Sequence, residues 1–438
     1  MTLDIQWCRA HPDLLREGVA KKKFDGDLDA FLALDLEWRQ LLSRVEALRA
    51  EQNRASEALS HVEKSSETFH SEVERLRALS LRLKTEEETL HLLEARWEEA
   101  FAAIPNLPHS STPLGATAED NREIPQPYRD LRKAEEDSHE PYRPQEVSAH
   151  AMPHYEIPGF EKAIDFARGV KVSGAGFPFY VGDMARLVRA LIAFFLEEAR
   201  SRGYVELMPP LFVNVSSARA TGQLPDKEGQ MYRASEDGFY AIPTAEVPVT
   251  NFFRDEIFEA KELPIYRCAY TPCFRREAGS WGKEVRGLNR LHQFDKVELV
   301  KWVDPDRGLE ELESLRADAE VLLQKLELPY RVLEICTGDM GFPHAKQYDL
   351  EVWAGGQKRW LEVSSCSYFS DFQARRAHIR FRNGKAGQTA FLHTLNGSGL
   401  AVPRVLAALL ENSLREDRKS VAIPKVLRPW FPQEYLLF

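Results

Sequence analysis

Cysteine is scarce in this sequence, and its occurrences follow none of the usual functional spacings. Cys8, Cys268, Cys273, Cys336 and Cys366 are scattered over 438 residues and odd in number, which argues against a disulfide framework. No Cys-x-x-Cys pair is present, so the usual spacing of a thiolate zinc site is missing and we expect no zinc. These features suit a reducing compartment, and we expect the protein to be cytoplasmic.

Long apolar runs, a basic surplus and a phosphate-binding loop are missing as well. The longest apolar stretch, near Leu187 to Leu196, is about half of what a membrane span needs, so we expect no membrane association. Residues 1–16 lack the basic start and apolar core of a secretory signal. A net charge of −10 argues against bulk attraction to nucleic acid, and we expect no DNA partner. No Gly-x-x-x-x-Gly-Lys-Ser/Thr motif occurs.

A heptad pattern dominates the first hundred residues. Apolar or small residues recur in alternating steps of four and three on either side of a polar tip, Glu63 to Thr68. The pattern predicts an antiparallel coiled-coil hairpin, an arm roughly 45–55 Å long at 1.5 Å per residue. Periodicity alone favours a dimerisation or spacer coil over a nucleic-acid contact. The seam residues are Leu34, Trp38, Leu41, Val45, Leu48, Ala55, Leu59 and Val62, then Phe69, Val73, Leu76, Leu83, Leu90, Trp97, Phe101 and Ile104.

Proline separates this arm from the remainder of the chain. Nine prolines lie between Pro105 and Pro158, where a fixed φ and a missing N–H donor prevent a continued helix or an inner strand. We therefore predict an N-terminal domain at 1–104, a proline-rich linker or wrapped surface segment at 105–158, and a second domain at 159–438.

The second domain has the pattern of an α+β fold. Asp237-Gly238 and Ala354-Gly-Gly-Gln each separate two strand-like runs and predict β-hairpins. A longer loop joins the runs Ile265 to Phe274 and Leu288 to Trp302. Hairpins in series, with helices between them, predict an antiparallel β-sheet flanked by helices and argue against a doubly wound nucleotide fold.

Two features of this domain point to a ligand. Phe294 and Glu298 share one face of a strand about 13 Å apart, where they could hold the two ends of an elongated molecule. Asn396-Gly-Ser-Gly then leads towards an apolar helix with Arg404 near its start, and a helix N-terminus favours anions. Each feature alone is a weak signal, and an ordinary strand face or loop is the simpler interpretation.

In combination, these segments resemble the three signature motifs of class II aminoacyl-tRNA synthetases, and most closely the bacterial-type seryl-tRNA synthetase family. The resemblance covers almost the whole chain. It rests on the helical hairpin and on the segments Ile242–Glu246, Phe274–Gly279, Arg286–Leu288, His292–Phe294, Gly338–Phe342, Tyr348–Trp353, Glu362–Ser367, Asp371–Arg376 and His393–Val402.

The resemblance implies a reaction and its partners. Serine and ATP would form seryl-adenylate, and the seryl group would pass to the 3′ end of tRNA(Ser), with the arm reaching the tRNA and Mg²⁺ accompanying ATP. A homodimer is implied, with the family's dimer-forming first motif at Pro209-Pro210. Whether tRNA(Sec) is charged as well stays open.

The resemblance also implies residue roles. Arg275, Glu277 and Arg404 would be catalytic, with Arg275 on the α-phosphate and Arg404 on the γ-phosphate, stacking on adenine opposite Phe294. Glu362 and Ser365 would hold Mg²⁺, although strand parity alone pairs Glu362 with Ser364, so the Ser365 assignment requires a bend. The implied ATP-binding set is Arg275, Arg276, Glu277, Arg286, Leu291, Phe294, Glu362, Val363, Ser364, Ser365 and Arg404, and the implied serine-binding set is Thr244, Ala245, Glu246, Glu298 and Ser398.

Two alternatives belong to other functional classes. A synthetase-derived paralogue could bind RNA or a protein partner without catalysis, but it would be expected to lose Arg275, Glu362 or Arg404, and all three are present. An amino-acid:carrier-protein ligase would adenylate serine without charging tRNA, but such relatives lack the long arm.

Overall fold

The computed structural model describes residues 3–124, 146–226, 229–278, 286–383 and 388–438. The chain divides into two compact units, Met1–Pro105 and Asn106–Phe438. Of the predicted linker 105–158, Pro105 belongs to the first unit and residues 106–124 and 146–158 belong to the second, whereas residues 125–145 lie outside the described part of the chain.

The first unit is helical. Its helices are α1 (Ile5–Ala10), α2 (Pro12–Lys21), α3 (Leu28–Ser60) and α4 (Glu67–Ala102). The long pair α3 and α4 forms the predicted hairpin, which is confirmed, and the turn between them lies at the predicted polar tip. Side chains cap both N-termini: Asp27 accepts the Ala30 amide hydrogen at 2.9 Å and Ser66 accepts that of Phe69 at 3.1 Å.

Apolar side chains hold the two long helices together. Leu41, Val45 and Leu48 of α3 cluster with three buried leucines of α4, two of which, Leu79 and Leu93, lie outside the predicted seam. Towards the base, aromatic rings stack across the pair, Trp38 on Trp97 at 5.0 Å and Phe31 on Phe101 at 5.4 Å between centroids. The predicted seam residues are all buried or half-buried.

Many charges on the arm already have partners. Arg44 pairs with Glu86, Arg49 with Glu87 and Arg75 with Glu51, each across the two helices. Exposed pairs of this kind contribute only about 0–1 kcal/mol each, so the leucine and aromatic seam provides most of the stability.

The second unit combines helices with several sheets. Its helices are α5 (Phe160–Ala163), α6 (Phe166–Ser173), α7 (Asp183–Ser201), α8 (Val215–Ala220), α9 (Glu246–Thr250), α10 (Gly308–Lys325), α11 (Phe372–Arg376) and α12 (Val402–Asn412). Its strands are β1 (Arg122–Glu123), β2 (Ile164–Asp165), β3 (Phe179–Tyr180), β4 (Val205–Glu206), β5 (Phe212–Val213), β6 (Arg233–Ala234), β7 (Phe239–Ala241), β8 (Ile257–Glu259), β9 (Ile265–Phe274), β10 (Gln293–Val303), β11 (Tyr330–Glu334), β12 (Lys346–Ala354), β13 (Arg359–Tyr368), β14 (Arg380–Arg382), β15 (Thr389–Phe391), β16 (His393–Ala401), β17 (Ser420–Ala422) and β18 (Tyr435–Leu437).

The main sheet is antiparallel except at one edge, which confirms the predicted fold class. Within the described residues its order is β1-β11-β12-β13-β16-β10-β9-β4, and only β4 runs parallel to its neighbour. Smaller sheets are β5-β7-β6, β15-β14-β8, β2-β3 and β17-β18. Strand β1, from the proline-rich segment, lies at the edge, where a chain with few N–H donors is tolerated.

Successive side chains of β10 point to opposite faces of the sheet. Val297, Leu299 and Val303 pack into the cluster that contains the apolar faces of α7, α10 and α12. Even-numbered positions point to the opposite face, where Val300 and Trp302 join a second buried cluster.

The start of one strand differs from the sequence expectation, and a proline lies near the start of the helix that carries Arg404. Strand β10 begins at Gln293 and not at Leu288, because residues 287–290 form a turn in which Gly287 has φ of +64°. Pro403 lies in the first turn of α12, where its missing N–H breaks no helical hydrogen bond.

Candidate active site

A cavity of about 600 Å³ lies over the β10 face that carries the even-numbered residues. Most residues predicted for the site line it, although they come from segments more than 150 residues apart in the chain. The predicted residues in its wall are Thr244, Glu246, Arg275, Glu277, Leu291, Phe294, Glu298, Glu362, Val363, Ser364, Ser365, Ser398 and Arg404.

Three predicted site residues do not line this cavity. Ala245 is fully buried in the second apolar cluster. The Arg276 amide donates to the carbonyl oxygen of Gln230 at 2.8 Å. The Arg286 guanidinium lies 4.6 Å from the centroid of the Tyr155 ring, a cation–π contact outside the cavity wall.

The aromatic end of the cavity is built by β9 and β10. Phe294 pairs with Cys273 in the ladder, so Arg275 emerges at the end of β9 beside the Phe294 ring. The Arg275 guanidinium lies 5.3 Å from the ring centroid, and its Nε donates to the Pro243 carbonyl oxygen at 3.2 Å. The structure therefore places Arg275 over the Phe294 ring, whereas the resemblance implies that Arg404 stacks on adenine opposite this ring.

Arg404 lies at the same end, on α12. Its Nε donates to the Asn289 carbonyl oxygen at 3.1 Å, and its Nη1 donates to the Glu362 carbonyl oxygen at 2.8 Å. Main-chain acceptors thus fix the guanidinium near the carboxylate of Glu362, 3.6 Å away.

Glu277 has an unusual backbone. Its φ is +47°, in the left-handed region, and its Oε2 accepts a hydrogen bond from Arg290 Nη1 at 2.8 Å. The pair joins the end of β9 to the start of the returning segment and leaves the Glu277 side chain mostly buried in the cavity wall.

A β-bulge in β13 resolves the parity problem of the predicted magnesium ligands. Opposite the β12 residues Leu350 and Glu351 stand Ser364 and Glu362, so Val363 is the extra residue. The bulge shifts the alternation between Glu362 and Ser365 and provides the bend that the Ser365 assignment requires.

A third oxygen-bearing residue faces these two. Asp349 pairs with Ser365 across β12 and β13, and its Oδ1 accepts from Gln347 Nε2 at 2.8 Å. Burial, together with the nearby Glu362 charge, raises the pKa of Asp349 well above its usual range. Two carboxylates and a hydroxyl suit a hard cation such as Mg²⁺, which would relieve this repulsion.

The opposite end of the cavity contains two buried carboxylates and one cation. Lys296 forms an ion pair with Glu298, and its Nζ donates to Thr244 Oγ1 at 2.8 Å. Thr244 Oγ1 donates in turn to Glu298 Oε2 at 3.2 Å. Ser398 stands opposite Glu298 in the β10–β16 ladder, so four polar groups converge on a small volume.

Glu246 is the second carboxylate of this cluster. Burial, with the charge of Glu298, raises its pKa to about 7, against the opposing effects of a Gln373 hydrogen bond and of Lys296. Its carboxyl group is thus poised to change charge near neutral pH, as is common in ligand sites.

Several polar residues of the cavity wall are not among those predicted from the sequence, and Lys296 and Asn396 are two buried examples. Lys296 stands midway between Phe294 and Glu298, so the two-residue period that paired those residues also points to it. Asn396 belongs to the segment that contains Ser398, but no sequence pattern separates its side chain from that of a loop asparagine.

Family models match both parts of the chain. The model for the seryl-tRNA synthetase N-terminal domain matches residues 2–108, and the model for the class II core domain of the G, H, P, S and T synthetases matches residues 230–413. The serine–tRNA ligase of Thermodesulfovibrio yellowstonii is 47% identical over 98% of this chain and 98% of its own length. This chain belongs to the seryl-tRNA synthetase family.

Other members of the seryl-tRNA synthetase family are similar to this chain in sequence and in structure. The serine–tRNA ligase of Salinibacter ruber is 46% identical over 98% of this chain and 97% of its own length. The crystal structure of seryl-tRNA synthetase from Pyrococcus horikoshii complexed with ATP superposes with a TM-score of 0.84 at 32% identity, covering 99% of both chains. The fold, with the coiled-coil arm and the sheet-borne cavity, is thus the fold of this family.

Membrane-spanning helices and clusters of metal-ligating side chains are both absent from the described residues. None of the described helices has the length and apolar character needed to cross a membrane. Across the same part of the chain, three or more His, Cys, Asp or Glu side chains nowhere converge as a metal-binding group.

Proposed function

We propose that this member of the seryl-tRNA synthetase family activates L-serine with ATP and transfers the seryl group to tRNA(Ser). The observation that carries the proposal is the single cavity that joins Arg275, Phe294 and Arg404 at one end to Glu246 and Glu298 at the other. The alternatives, a non-catalytic paralogue and a carrier-protein ligase, lack support from the whole-chain relatives, which are serine–tRNA ligases.

The first step forms seryl-adenylate. The serine carboxylate attacks the α-phosphorus of ATP, the bond to the bridging oxygen breaks, and pyrophosphate leaves. Because an anion attacks an anion, cationic groups must offset charge in the transition state. Arg275 and Arg404 fulfil this requirement, and a guanidinium can both stack on a ring and bind oxyanions. No strong general base is needed, since the nucleophile is already ionised.

ATP would lie with its adenine at the Phe294 end. Phe294 offers one aromatic face, and Arg404 is held within the same wall by main-chain carbonyl groups. Glu277, fixed by Arg290, lines the same region and would accept from the adenine amino group or position Arg275. Arg286, now on Tyr155, would reach the terminal phosphates only after it leaves that ring.

Glu362 and Ser365 would hold Mg²⁺, with Asp349 beside them. The ion supplies charge neutralisation between phosphate oxygens when it is bound. The chain's own contribution is the Val363 bulge, which turns Glu362 and the Ser365 hydroxyl into a common region of the cavity wall.

Serine recognition would depend on the acidic end of the cavity. Glu246 and Glu298 suit the ammonium group and the side-chain hydroxyl, while Thr244 and Ser398 offer further hydrogen bonds. A site that hydrogen-bonds a substrate hydroxyl rejects an analogue without one strongly, because its buried polar groups are left unpaired. Alanine would therefore be a poor substrate.

The second step passes the seryl group from the adenylate to a terminal ribose hydroxyl of the tRNA, with AMP released. The coiled-coil arm would bind the tRNA, and its exposed cations Arg54, Arg82 and Lys84 could contact phosphates. We also propose a cytoplasmic homodimer. Met208 and Phe212, next to the dimer motif at Pro209-Pro210, expose 94% and 55% of their surface and could pack against a second subunit.

A charging assay tests the function. Purified chain is incubated with ATP, Mg²⁺, labelled serine and individual tRNA isoacceptors, and acid-precipitable label is counted. We expect label on tRNA(Ser), and label on tRNA(Sec) would extend the substrate range. Formation of adenylate with label on no tRNA would contradict the proposal and favour a carrier-protein ligase.

A further inference from the structure

A buried amide lies directly behind the proposed serine site. Gln373 of α11 is 1% exposed and does not line the cavity, but its Nε2 donates to Glu246 Oε1 at 2.6 Å. The second acceptor near Nε2 is the carbonyl oxygen of Thr221, at 3.5 Å. Gln373 can therefore affect a ligand only through Glu246.

Thr394 holds the other end of this amide. Its hydroxyl, fully buried in β16, donates to Gln373 Oε1 at 2.7 Å. In the reverse orientation, Oε1 would face the Glu246 carboxylate and the Thr221 carbonyl, which are both acceptors when Glu246 is ionised. The two acceptors thus select the orientation that presents an N–H group to Glu246, and the Thr394 hydroxyl, which can donate or accept, donates to Oε1 in that orientation.

We propose that Gln373, held by Thr394, is a positioning residue for serine recognition that sets the direction of the Glu246 carboxylate. The inference rests on the proposed function, because Glu246 has to bind the serine ammonium or hydroxyl group. Glu246 begins the short helix α9, so its backbone is fixed and its remaining freedom is the rotation of its side chain. The hydrogen bond from Gln373, which lies on the side of Glu246 away from the cavity, restricts this rotation.

The test compares variants in serine-dependent exchange of pyrophosphate into ATP. Q373E keeps the side-chain shape but replaces the N–H donors with an acidic group, so we expect the KM for serine to rise roughly tenfold or more, since a buried partner of a charged group is lost. The KM for ATP should change less than about twofold, because no ATP-site residue contacts Gln373 among those described.

Thr394 provides a matched pair. T394V removes the hydroxyl at nearly constant shape, and we expect a rise in the serine KM of about threefold to tenfold, while T394S should behave like the parent chain. T250V is the control for a buried threonine on α9, since the Thr250 hydroxyl has no hydrogen-bond partner within the described residues. If Q373E does not fold, the comparison of T394V with T394S still tests the positioning role of Gln373.

The outcomes separate the two proposals. Parent chain without serine-dependent exchange would overturn the proposed function itself. An active parent whose serine KM is unchanged in Q373E and T394V would overturn only the positioning role. Equal rises in the KM for serine and for ATP would also overturn it, because they would indicate general disruption of the fold.

Discussion

At the scale of residues, the central feature is a buried cluster in which two carboxylates share one cation. Glu246 and Glu298 face Lys296, which is 6% exposed and also donates to Thr244. Burying charges is costly unless they are paired and hydrogen-bonded. The cluster has one negative charge more than it has positive charges when both carboxylates are ionised, and a ligand ammonium group would restore the balance.

The pH dependence of serine binding follows from Glu246. Its pKa is raised to about 7, so the carboxylate form grows as pH rises from 6 to 7.5. If this form binds the ammonium group, the serine KM should fall by roughly eightfold over that range. Exchange assays across this pH range measure it, with the KM for ATP as the internal control. E246Q should lose the dependence, and a serine KM that is flat in the parent chain would contradict the assignment.

Removing the positive charge of Lys296 should reduce serine-dependent exchange strongly. K296M leaves Glu298 without its ion-pair partner beside a second carboxylate, and we expect kcat/KM for serine in exchange to fall roughly 100-fold. The matched control is K325M, at a half-exposed lysine that pairs with Glu198 on the surface. Similar small losses in both variants would argue against a role for Lys296.

Most of the residues that the motifs predict for the site line one cavity, but two kinds of contact could not be predicted from the sequence. The two-residue period of β10 places Lys296 on the cavity face, but no motif in the neighbouring sequence marks it as a site residue. Asp349 and Gln373 act across strands or helices, and their contacts with Ser365 and Glu246 depend on tertiary packing that no local pattern encodes.

At the scale of elements, the sheet register brings the site together. The bulge at Val363 lies in the β12–β13 ladder, and the irregularity between Lys296 and Glu298 lies in the β10–β16 ladder. Residues from β10, β13 and β16 have to face one cavity. Bulges re-aim side chains in this way. The alternation of apolar and polar residues predicts that these segments are strands. It does not predict the bulges, because one extra residue in a strand does not change the amino-acid composition in a recognisable way.

A buried histidine joins four segments next to the cavity wall that contains Leu288. His154 shares a short hydrogen bond with Glu411 of α12, 2.7 Å from Nδ1 to Oε1, and its Nε2 accepts the Leu288 amide hydrogen at 2.9 Å. Glu411 also accepts from the amides of Gly356 and Gln357 between β12 and β13. Neither His154 nor Glu411 is exposed at all.

Truncating this histidine should weaken the fold. H154A leaves the Leu288 N–H without its acceptor and removes a donor from a buried carboxylate, so we expect a loss of about 3 kcal/mol in the free energy of unfolding of the second unit. Chemical denaturation followed by tryptophan fluorescence measures it. H150A, four residues earlier in the same segment, is the control and should change stability by less than about 0.5 kcal/mol. An equal effect of both substitutions would contradict the role of this network.

At the scale of the whole molecule, the arm and the body have separate tasks under the proposed function. The net charge of −10 leaves no general attraction to RNA, and several arm arginines are engaged with glutamates across the hairpin. A tRNA would therefore be recognised by local cations and by shape. The two-unit division places all of the cavity residues in the second unit.

Deleting the arm should separate the two half-reactions. Replacing residues 35–100 with a short glycine linker removes the hairpin but leaves every cavity residue, so we expect serine-dependent exchange to stay within about threefold of the parent. Charging of tRNA(Ser) should fall by roughly 100-fold or more in kcat/KM, because the RNA contacts of the arm are lost. Unchanged charging by the shortened chain would make the arm a spacer.

Two sequence patterns lie at the boundary between the compact units. The heptads and the run of prolines marked the end of the arm near residue 105, where the compact units divide. The attachment of residues 106–124 to the second unit was harder to predict. It depends on long-range contacts such as the Asn106 side-chain amide with the carbonyl oxygens of Pro343 and Phe369.

The most direct test of the account is amino-acid-dependent exchange of pyrophosphate into ATP by the purified full-length chain. Each of the common amino acids is supplied in turn with ATP, Mg²⁺ and labelled pyrophosphate, and the R275A and R404A variants serve as inactive references. We predict exchange with serine and little or none with alanine or threonine. Folded protein that gives no exchange with serine, or equal exchange with alanine, would contradict the account.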